Sequence, residues 1–268
     1  MRIVWLNGMP RSGTSWLSQI FDSHPDVKFK LSPLFSYAFK NYVDENSSSS
    51  KWQELFVKLY NYPPDEFMDQ ILRRDKNEYP IFREKAPVSK YLVIKATRFH
   101  NLTRTMLHRV PDLKLVHIVR NPCGAINSWL KAPNEFPEHL NPLQEWKSGR
   151  CRKTEKSEYW GFEDWVSVTN LYEELQSDYP NNVRIVSYED LVDSPVTTTQ
   201  EMFEFVGMRV DDQTKLFLTQ SNARHDDRQY SVFKNKNVRD KWQAQLDQQI
   251  VTEIYKAIKN SKLEKYLK

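Results

Sequence analysis

The sequence contains little cysteine, and this limits the kinds of site it can form. Its 268 residues include only Cys123 and Cys151, with no CxxC pair. Two isolated cysteines argue against a disulfide scaffold and against a structural zinc site. With no metal-ligand cluster in the sequence we expect no bound metal. A chain without structural disulfides is typical of a reducing compartment, so we expect a cytoplasmic protein.

Long hydrophobic runs are also missing. No apolar stretch reaches the roughly 18 residues that a membrane-spanning helix needs. The apolar run at residues 3–6 is too short for a signal peptide. We therefore expect no membrane span. A strong excess of one charge is absent as well, since the formal net charge is +4. That charge permits an anionic ligand but does not predict a nucleic-acid partner.

What the sequence does contain is an alternation of strand and helix patterns. The 39% hydrophobic content is enough for one packed domain spanning residues 1–268. Short apolar runs predict buried strands, and helical periodicity predicts the segments between them. The strands are expected at 2–7, 91–96, 113–119 and 183–188, and the helices from 14 to about 23, at 51–60, 65–74, 99–110, 122–131, 160–177 and 195–206, and from about 243 onward.

This alternation predicts an α/β fold with a mainly parallel central sheet flanked by helices on both faces. In such sheets ligands bind outside the carboxyl ends of the strands. Residues 7–11 and residues 120–121 both follow predicted strands. We therefore expect these two segments at the same edge of the sheet.

The first of these segments has the spacing of a phosphate-binding loop. In "GMPRSGTSW" (8–16), Gly8, Gly13 and Ser15 match GxxxxGx[ST], between a strand and a helix as the motif requires. Amides at a helix N-terminus bind phosphate oxygens, helped by the helix dipole. Thr14 stands where a nucleotide triphosphatase has lysine, and Arg11 is the candidate replacement cation. Taken alone, the pattern also fits an ordinary turn before a helix.

This loop resembles the 5′-phosphosulfate loop of sulfotransferases that use 3′-phosphoadenylyl sulfate (PAPS). The run "GMPRSGTSWLSQIFDSHPDV" is most similar to the bacterial and tyrosylprotein branches, and carbohydrate sulfotransferases also carry arginine at this position. The resemblance implies a P-loop nucleotide-hydrolase-like sulfotransferase fold, PAPS as co-substrate and 3′-phosphoadenosine 5′-phosphate (PAP) as product. The residues it places on the donor are Arg11, Ser12, Gly13, Thr14, Ser15 and Trp16.

A second motif of the same family follows in "HIVRNPCGAINSWL". In the family an arginine ends a strand and a serine eight residues later lies in the next helix, and both bind the 3′-phosphate. Here Arg120 and Ser128 have that separation. Asn121 is a suitable N-cap, and Pro122 suits the first helical position. The alternative is that Arg120 is a surface ion-pair residue and Ser128 has no part in binding.

Two weaker matches complete the resemblance, which covers residues 2–242. Tyr188, in "VSYEDL", stands where the family's tyrosine lies against the adenine. Lys236, in "VFKNKNVRDKW", stands at the basic position of the loop that closes over the 3′-phosphate. Asparagines at 235 and 237 replace the family's arginine and glycine, so Lys234 or Arg239 is an alternative cation, and a solvated basic loop is the other alternative. The donor elements are thus 6–21, 113–130, 183–191 and 232–242.

The resemblance implies transfer of a sulfuryl group to a hydroxyl or amine by in-line displacement, as in phosphoryl transfer. Arg11 is placed to stabilise the leaving phosphate, and Lys95 to contact the sulfuryl oxygens. The general base is not at its usual places. Thr97 stands where cytosolic members have histidine, and the segment after "HPDV" has no carboxylate. His100 and Glu84 remain as candidates, and each also fits an ordinary surface residue.

Segments 28–90 and 131–160 match none of the donor motifs, so we expect them to form the acceptor pocket and lid. They are rich in aromatic residues, which suit a small-molecule, glycan or other hydroxylated acceptor but more often fill a core. Basic residues between 147 and 156 attract an acidic acceptor or form a solvated face. The competing functions are a P-loop small-molecule or nucleotide kinase, which Thr14 disfavours, and a non-catalytic nucleotide-binding protein.

Overall fold

The computed structural model describes residues 1–234 and 236–268, apart from the side chains of Asn222 and Lys236. Across these residues five strands form one sheet in the order β2-β3-β1-β4-β5. Every neighbouring pair is parallel. The strands are β1 (Arg2–Gly8), β2 (Val27–Leu31), β3 (Tyr91–Ala96), β4 (Lys114–Val119) and β5 (Val183–Ser187).

Helices connect and cover the strands. They are α1 (Thr14–Asp22), α2 (Ser49–Asn61), α3 (Ile71–Asp75), α4 (Thr103–Arg109), α5 (Pro122–Leu130), α6 (Pro142–Glu145), α7 (Gly161–Asp178), α8 (Tyr188–Asp193), α9 (Pro195–Val206), α10 (Asp212–Ala223), α11 (Trp242–Gln245) and α12 (Gln248–Ile258). Short 3₁₀ turns occupy Pro33–Phe35, His100–Leu102, Arg150–Arg152, Lys236–Val238 and Glu264–Tyr266.

The sheet is buried on both faces, as its continuous apolar strands require. Because side chains alternate along a strand, Trp5 enters one hydrophobic cluster while Val4 and Leu6 enter the other. The first cluster includes buried residues of α2, α4, α5, α7 and α12, and the second includes residues of α1, α8, α9 and α10. The predicted α/β class, with helices on both faces of a parallel sheet, is confirmed.

The strand β2 was not predicted from the sequence. Its "VKFKL" pattern carries two lysines, and Lys30 is almost fully buried. Lys30 Nζ lies 2.9 Å from Asp69 Oδ2, and this ion pair makes a lysine acceptable inside the sheet. The partner comes from a distant loop, so the local pattern gave no sign of it.

The helix predicted at 65–74 is also shorter than expected, because only Ile71–Asp75 is helical. The Asp65 carboxylate accepts hydrogen bonds from the amides of Phe67 and Met68, at 3.0 and 2.7 Å. Such local side-chain bonds compete with helix formation. Gln70 then turns the chain with a φ of 56°. Strand β5 ends one residue early as well, since Tyr188 begins α8.

The strand order positions the site. Chain connections run from β1 outward to β2, back to β3, and then to β4 on the other side of β1. The reversal leaves a crevice at the carboxyl ends of β1 and β4, where Gly8 pairs with Ile118. The loop after β1 and Arg120 therefore lie at the same edge, as predicted. Within the described residues, no helix has both the length and the apolarity to cross a bilayer.

Candidate functional site

The loop between β1 and α1 wraps around a point at the edge of the sheet. Arg11 and Gly13 both adopt left-handed backbone conformations, with φ values of 67° and 88°. A Cβ atom on Gly13 would lie 2.5 Å from Cδ2 of Tyr188, so only glycine fits there. Helix α1 begins at the next residue. The amides of its first turn have no partners within the helix, and together they form an anion-binding surface.

Arg120 lies on the opposite wall of this crevice. Its Nη1 donates to the carbonyl of Arg11 at 3.1 Å, and its Nη2 donates to the carbonyl of Val238 at 3.3 Å. The guanidinium stacks on the ring of Tyr188, 4.6 Å from its centroid. Gly124 leaves room for it, because a Cβ there would lie 2.9 Å from Arg120 Nε. Arg120 is therefore held in one place by contacts from three parts of the chain.

Helix α5 starts as the sequence predicted and carries the second polar group to the crevice. The side chain of Asn121 caps the helix by accepting from the amide of Cys123 at 2.9 Å, and Pro122 follows at the first helical position. Ser128 lies two turns along. Its Oγ accepts a hydrogen bond from Nε of Arg11 at 3.2 Å. The two motifs found in the sequence, 117 residues apart, thus touch each other.

Arg120 does not behave as a surface residue. Its side chain is 6% exposed and, among the described residues, forms no ion pair with a carboxylate. Glu189 binds the neighbouring amide of Asn121 at 3.0 Å instead. Because carbonyl oxygens and not a carboxylate hold this guanidinium, its charge is available to an anionic ligand.

Together these groups border a cleft whose cavity volume is about 140 Å³. The cleft is lined by Arg11, Gly13, Thr14, Ser15, Trp16, Arg120, Ser128, Tyr188, Val192, Gln229, Tyr230, Ser231, Val232, Lys234 and Val238.

The cleft is strongly electropositive. Burial, together with the charge of Arg120, lowers the pKa of Arg11, while Glu135 opposes this shift. Lys95, near the end of β3, is buried and places its Nζ 3.3 Å from Ser15 Oγ. Burial and the charge of Arg73 lower the pKa of Lys95 to about 8. Several cations held close together out of water are the arrangement that a polyanion stabilises.

Two buried donors add to this picture. Ser12 Oγ and Arg120 Nε have almost no solvent contact, and no described residue accepts from them. Buried polar groups normally have partners, so exceptions at a cleft indicate a ligand. The glycine cradle at residue 13, the free amides of α1 and these donors all fit the phosphate groups of a nucleotide.

Most donor-site residues predicted from the sequence come together here. Trp16 and Tyr188 line the cleft beside the loop, and Lys234 lines its far wall. Lys234 donates to the carbonyl of Arg228 at 2.9 Å. Arg239, the alternative cation, instead pairs with Asp193. The side chain of Lys236 lies outside the described part of the structure.

The structure does not bring either candidate base to the cleft. A turn at Phe99, whose φ is 62°, directs His100 into the core, where it is 1% exposed. His100 Nδ1 lies 3.1 Å from the hydroxyl of Tyr172. Burial lowers the pKa of His100 to about 3. Glu84 lies in an exposed loop near α10, where its backbone amide donates to Gln213 at 3.1 Å.

Sequence reasoning missed Tyr230, which lines the cleft, and Glu135, which pairs with Arg11. Glu135 Oε2 lies 3.7 Å from Nη1 of Arg11. Tyr230 lines the cleft, and the guanidinium of Arg73 covers its ring at 4.0 Å. These residues lie in irregular segments without a periodic pattern. The only available signal was that Glu135 follows soon after Ser128 in a segment already expected to hold the acceptor.

Most of the aromatic side chains in segments 28–90 and 131–160 pack in the hydrophobic core. Phe29, Phe39, Trp52, Phe136, Trp146 and Trp160 are buried, whereas Phe35 and Tyr37 are exposed. Lys147, Arg150 and Lys156 are exposed, and Lys153 pairs with Asp164 at 2.9 Å. The basic run is therefore largely a solvated face. Arg152 is the exception, since it is half-buried over the ring of Trp160 at 5.3 Å.

Comparison with known proteins adds independent information. A model of the family described as "Sulfotransferase family" matches residues 4–212, which include both cleft motifs. No curated protein matches the chain in sequence.

Several solved structures share the fold. The mouse sulfotransferase SULT7A1, determined as a complex with PAP, is 19% identical with a TM-score of 0.59, and the match covers 99% of this chain and 87% of the mouse chain. The sulfotransferase domain of the curacin biosynthetic pathway is 17% identical with a TM-score of 0.52, covering 96% and 97%. A sulfotransferase from Alicyclobacillus acidocaldarius is 13% identical with a TM-score of 0.53, covering 100% and 99%. At identities this low, these matches show a shared fold and nothing more.

Proposed function

The chain belongs to the sulfotransferase family, and from this premise we propose that it transfers a sulfuryl group from PAPS to a hydroxyl or amine of an acceptor. The observation that carries the proposal is the contact between its two anion-binding motifs. Arg11 Nε donates to Ser128 Oγ at 3.2 Å, and Arg120 Nη1 donates to the Arg11 carbonyl at 3.1 Å. A ligand with two phosphate groups a few ångströms apart spans this arrangement, and PAPS is such a ligand.

The 5′-phosphosulfate is assigned to the loop and the first turn of α1. The amides of this first turn have no partners within the helix, and Thr14 and Ser15 line the cleft beside them. The 3′-phosphate is assigned to Arg120 and Ser128. A guanidinium forms charge-assisted, forked contacts with phosphate. The adenine is assigned to the space beside Trp16 and Tyr188, where aromatic rings are available for stacking.

In the reaction, charge builds on the oxygen that bridges sulfur and the departing phosphate. Arg11 lies at the position to stabilise this charge, and its guanidinium contributes hydrogen bonds without exchanging a proton. Lys95, 3.3 Å from Ser15 Oγ, is assigned to the oxygens of the sulfuryl group. Both cations are held rigidly and largely away from water, so little reorganisation is needed during transfer.

Calorimetric titration with PAP and, separately, with ATP–magnesium tests the donor assignment. Thr14 occupies the place of the lysine that P-loop kinases use on their nucleotide, so we expect PAP to bind and ATP–magnesium to bind far more weakly. Arg120→Ala removes charged hydrogen bonds worth about 1.5–3 kcal/mol each, which predicts roughly 10- to 150-fold weaker PAP binding. Arg109→Ala, an exposed arginine at the end of α4, is the matched control and should bind PAP normally.

Preference for ATP–magnesium over PAP would favour the kinase alternative. Tight PAP binding without release of PAP from PAPS, in the presence of a panel of phenols, alcohols and amines, would favour a binding protein instead. Unchanged PAP affinity in Arg120→Ala would contradict the assignment of the 3′-phosphate.

A further inference from the structure

The proposed reaction lacks a proton acceptor. A hydroxyl that attacks sulfur must lose its proton, and a side chain near the operating pH range normally takes it. His100 is buried away from the cleft, and Glu84 is on an exposed loop. The base must instead lie near Arg11 and Lys95, since these cations mark the position of the transferred group.

Glu135 is the carboxylate at that position. Its Oε2 lies 3.7 Å from Nη1 of Arg11. Its negative charge acts on Lys95, whose pKa it raises against the opposite effect of burial, and on Tyr230 in the cleft wall. The carboxylate thus belongs to the same charged cluster as the two cations assigned to the donor.

Glu135 is also available for chemistry. Its side chain is 14% exposed, and no described residue donates a hydrogen bond to its buried Oε2. Other carboxylates of this region are already engaged. Glu189 accepts from the amide of Asn121 at 3.0 Å, and Glu78 pairs with Arg73 at 3.0 Å.

The backbone around Glu135 holds the side chain in place. The Glu135 amide donates to the carbonyl of Ala132 at 2.8 Å, and Trp129 Nε1 donates to the Glu135 carbonyl at 3.2 Å. Phe136, the next residue, is buried edge-on against Trp129 at 5.5 Å. The backbone that carries this carboxylate is thus held by two hydrogen bonds and by aromatic packing at the next residue, which suits a site that demands fixed geometry.

We propose that Glu135 is the general base of the transfer, an inference that rests on the proposed sulfotransferase function. The acceptor hydroxyl enters between Glu135 and the sulfuryl group, and its oxygen forms the new bond to sulfur. Its proton passes to the Glu135 carboxylate. The bond between sulfur and the bridging oxygen breaks, and the electron pair remains on the phosphate of the departing PAP. The products are a sulfate ester, PAP and a protonated Glu135, which returns its proton to water.

The alternative role of Glu135 is that of a counter-ion that only neutralises Arg11. The two roles differ in one measurable way. A base is needed when the acceptor still carries its proton, and it is not needed when the acceptor is already an anion. A counter-ion affects both kinds of acceptor equally, because it acts on the donor side of the reaction.

The test compares Glu135→Gln with the matched control Glu138→Gln, an exposed glutamate three residues along. Three quantities are measured: PAP affinity by calorimetry, release of PAP from PAPS with water or phenol as acceptor, and release with 4-nitrophenolate, which is already ionised at the assay pH. We expect Glu135→Gln to bind PAP at least as well as wild type. Transfer to water and phenol should fall about 10²- to 10⁴-fold, and transfer to 4-nitrophenolate less than tenfold. Glu138→Gln should match wild type throughout.

The result that overturns the base role is an equal loss for both kinds of acceptor, or full turnover of phenol and water by Glu135→Gln. Failure of the wild-type chain to bind PAP is a different outcome, since it removes the sulfotransferase proposal itself. Wild-type binding of PAP without any release of PAP from PAPS also removes the base role.

Discussion

Replacing Lys95 with methionine is expected to stabilise the protein while removing its activity. Lys95 is 8% exposed and its Nζ lies beside Ser15 Oγ. Burial, followed by the charge of Arg73 and, more weakly, that of Arg11, lowers its pKa, while the charge of Glu135 opposes this shift. The lysine therefore carries a charge that the free protein accommodates poorly. A bound polyanion would satisfy that charge.

The magnitude follows from the pKa. The ordinary value of 10.5 falls to about 8, a difference of about 2.5 units. At about 1.4 kcal/mol per unit this corresponds to about 3 kcal/mol. Between pH 8 and 10.5 the unfolded chain holds a proton that the folded chain lacks, so stability rises with pH in that window. At pH 7 the lysine is charged in both states, and the folded protein bears the full cost.

Methionine has a similar length and no charge, so Lys95→Met should raise the free energy of unfolding at pH 7 by up to about 3 kcal/mol. The advantage over wild type should shrink by pH 9.5. Urea unfolding followed by tryptophan fluorescence measures both. Lys30→Met is the control. Lys30 is also buried but lies 2.9 Å from Asp69, so its loss leaves that carboxylate without its cation and should lower stability.

Binding provides a second check on Lys95. A polyanion beside the ammonium raises its pKa, so PAP binding near pH 8.5 should take up part of a proton. Titrations in buffers of different ionisation enthalpy detect this uptake, and Lys95→Met should abolish it. If Lys95→Met is less stable than wild type at pH 7, the buried charge of Lys95 does not destabilise the free protein. If proton uptake persists in Lys95→Met, Lys95 is not the group that takes up the proton.

Three further outcomes follow from the structure. Gly13→Ala should cost about 1–3 kcal/mol of stability and weaken PAP binding, because φ is +88° and the new Cβ meets Tyr188 at 2.5 Å. Urea unfolding and calorimetric titration measure these two effects, and no change in either would contradict the role of this glycine. Burial lowers the pKa of His100 to about 3 and that of His117 well below its usual value. Stability should therefore fall below pH 6.5 by about 1.4 kcal/mol per pH unit for each histidine, and a flat profile from pH 7 to 5 would refute this. Burial raises the pKa of the Cys123 thiol to about 12, so a thiol reagent at pH 8 should label it only after unfolding, and rapid native labelling seen by mass spectrometry would contradict that.

The sequence predicted the fold well where a segment carries its own signal. The helix α9 starts at Pro195 and ends at Val206, and Gly207 follows it with the left-handed φ of 78° that a glycine at that position predicts. Strand β3 matched its predicted bounds because its six residues are all buried. Strand β2 was missed because its acceptability depends on Asp69, a residue 39 positions from Lys30. A local sequence pattern shows which secondary structure a segment favours. It does not show whether a residue far along the chain provides the partner that stabilises it.

The same distinction, between what local sequence signals predict and what distant contacts decide, applies to the residues of the candidate site. The positions of the predicted strands placed the loop at 8–16 and Arg120 at one edge of the sheet, since parallel strands end at the same edge. The pairing of Arg120 with Ser128 was implied by the resemblance to sulfotransferases. The spacing of residues in the sequence did not identify a general base. His100 is a residue type that often acts as a general base, and it follows soon after Lys95 in the sequence. The left-handed backbone conformation of Phe99 nevertheless directs its side chain into the core.

The amino-acid sequence by itself determined the parallel sheet and predicted the glycine-containing loop at 8–16 and Arg120 at one edge of it. These features depend on residue spacing and on the periodicity of buried positions, which are properties of neighbouring residues. Only the tertiary structure decided that Arg11 touches Ser128, that Lys95 is buried among cations, and that Glu135 lies 3.7 Å from Arg11. The reason is physical: the charge and solvation of a side chain depend on every group around it, and folding brings those groups from distant parts of the chain.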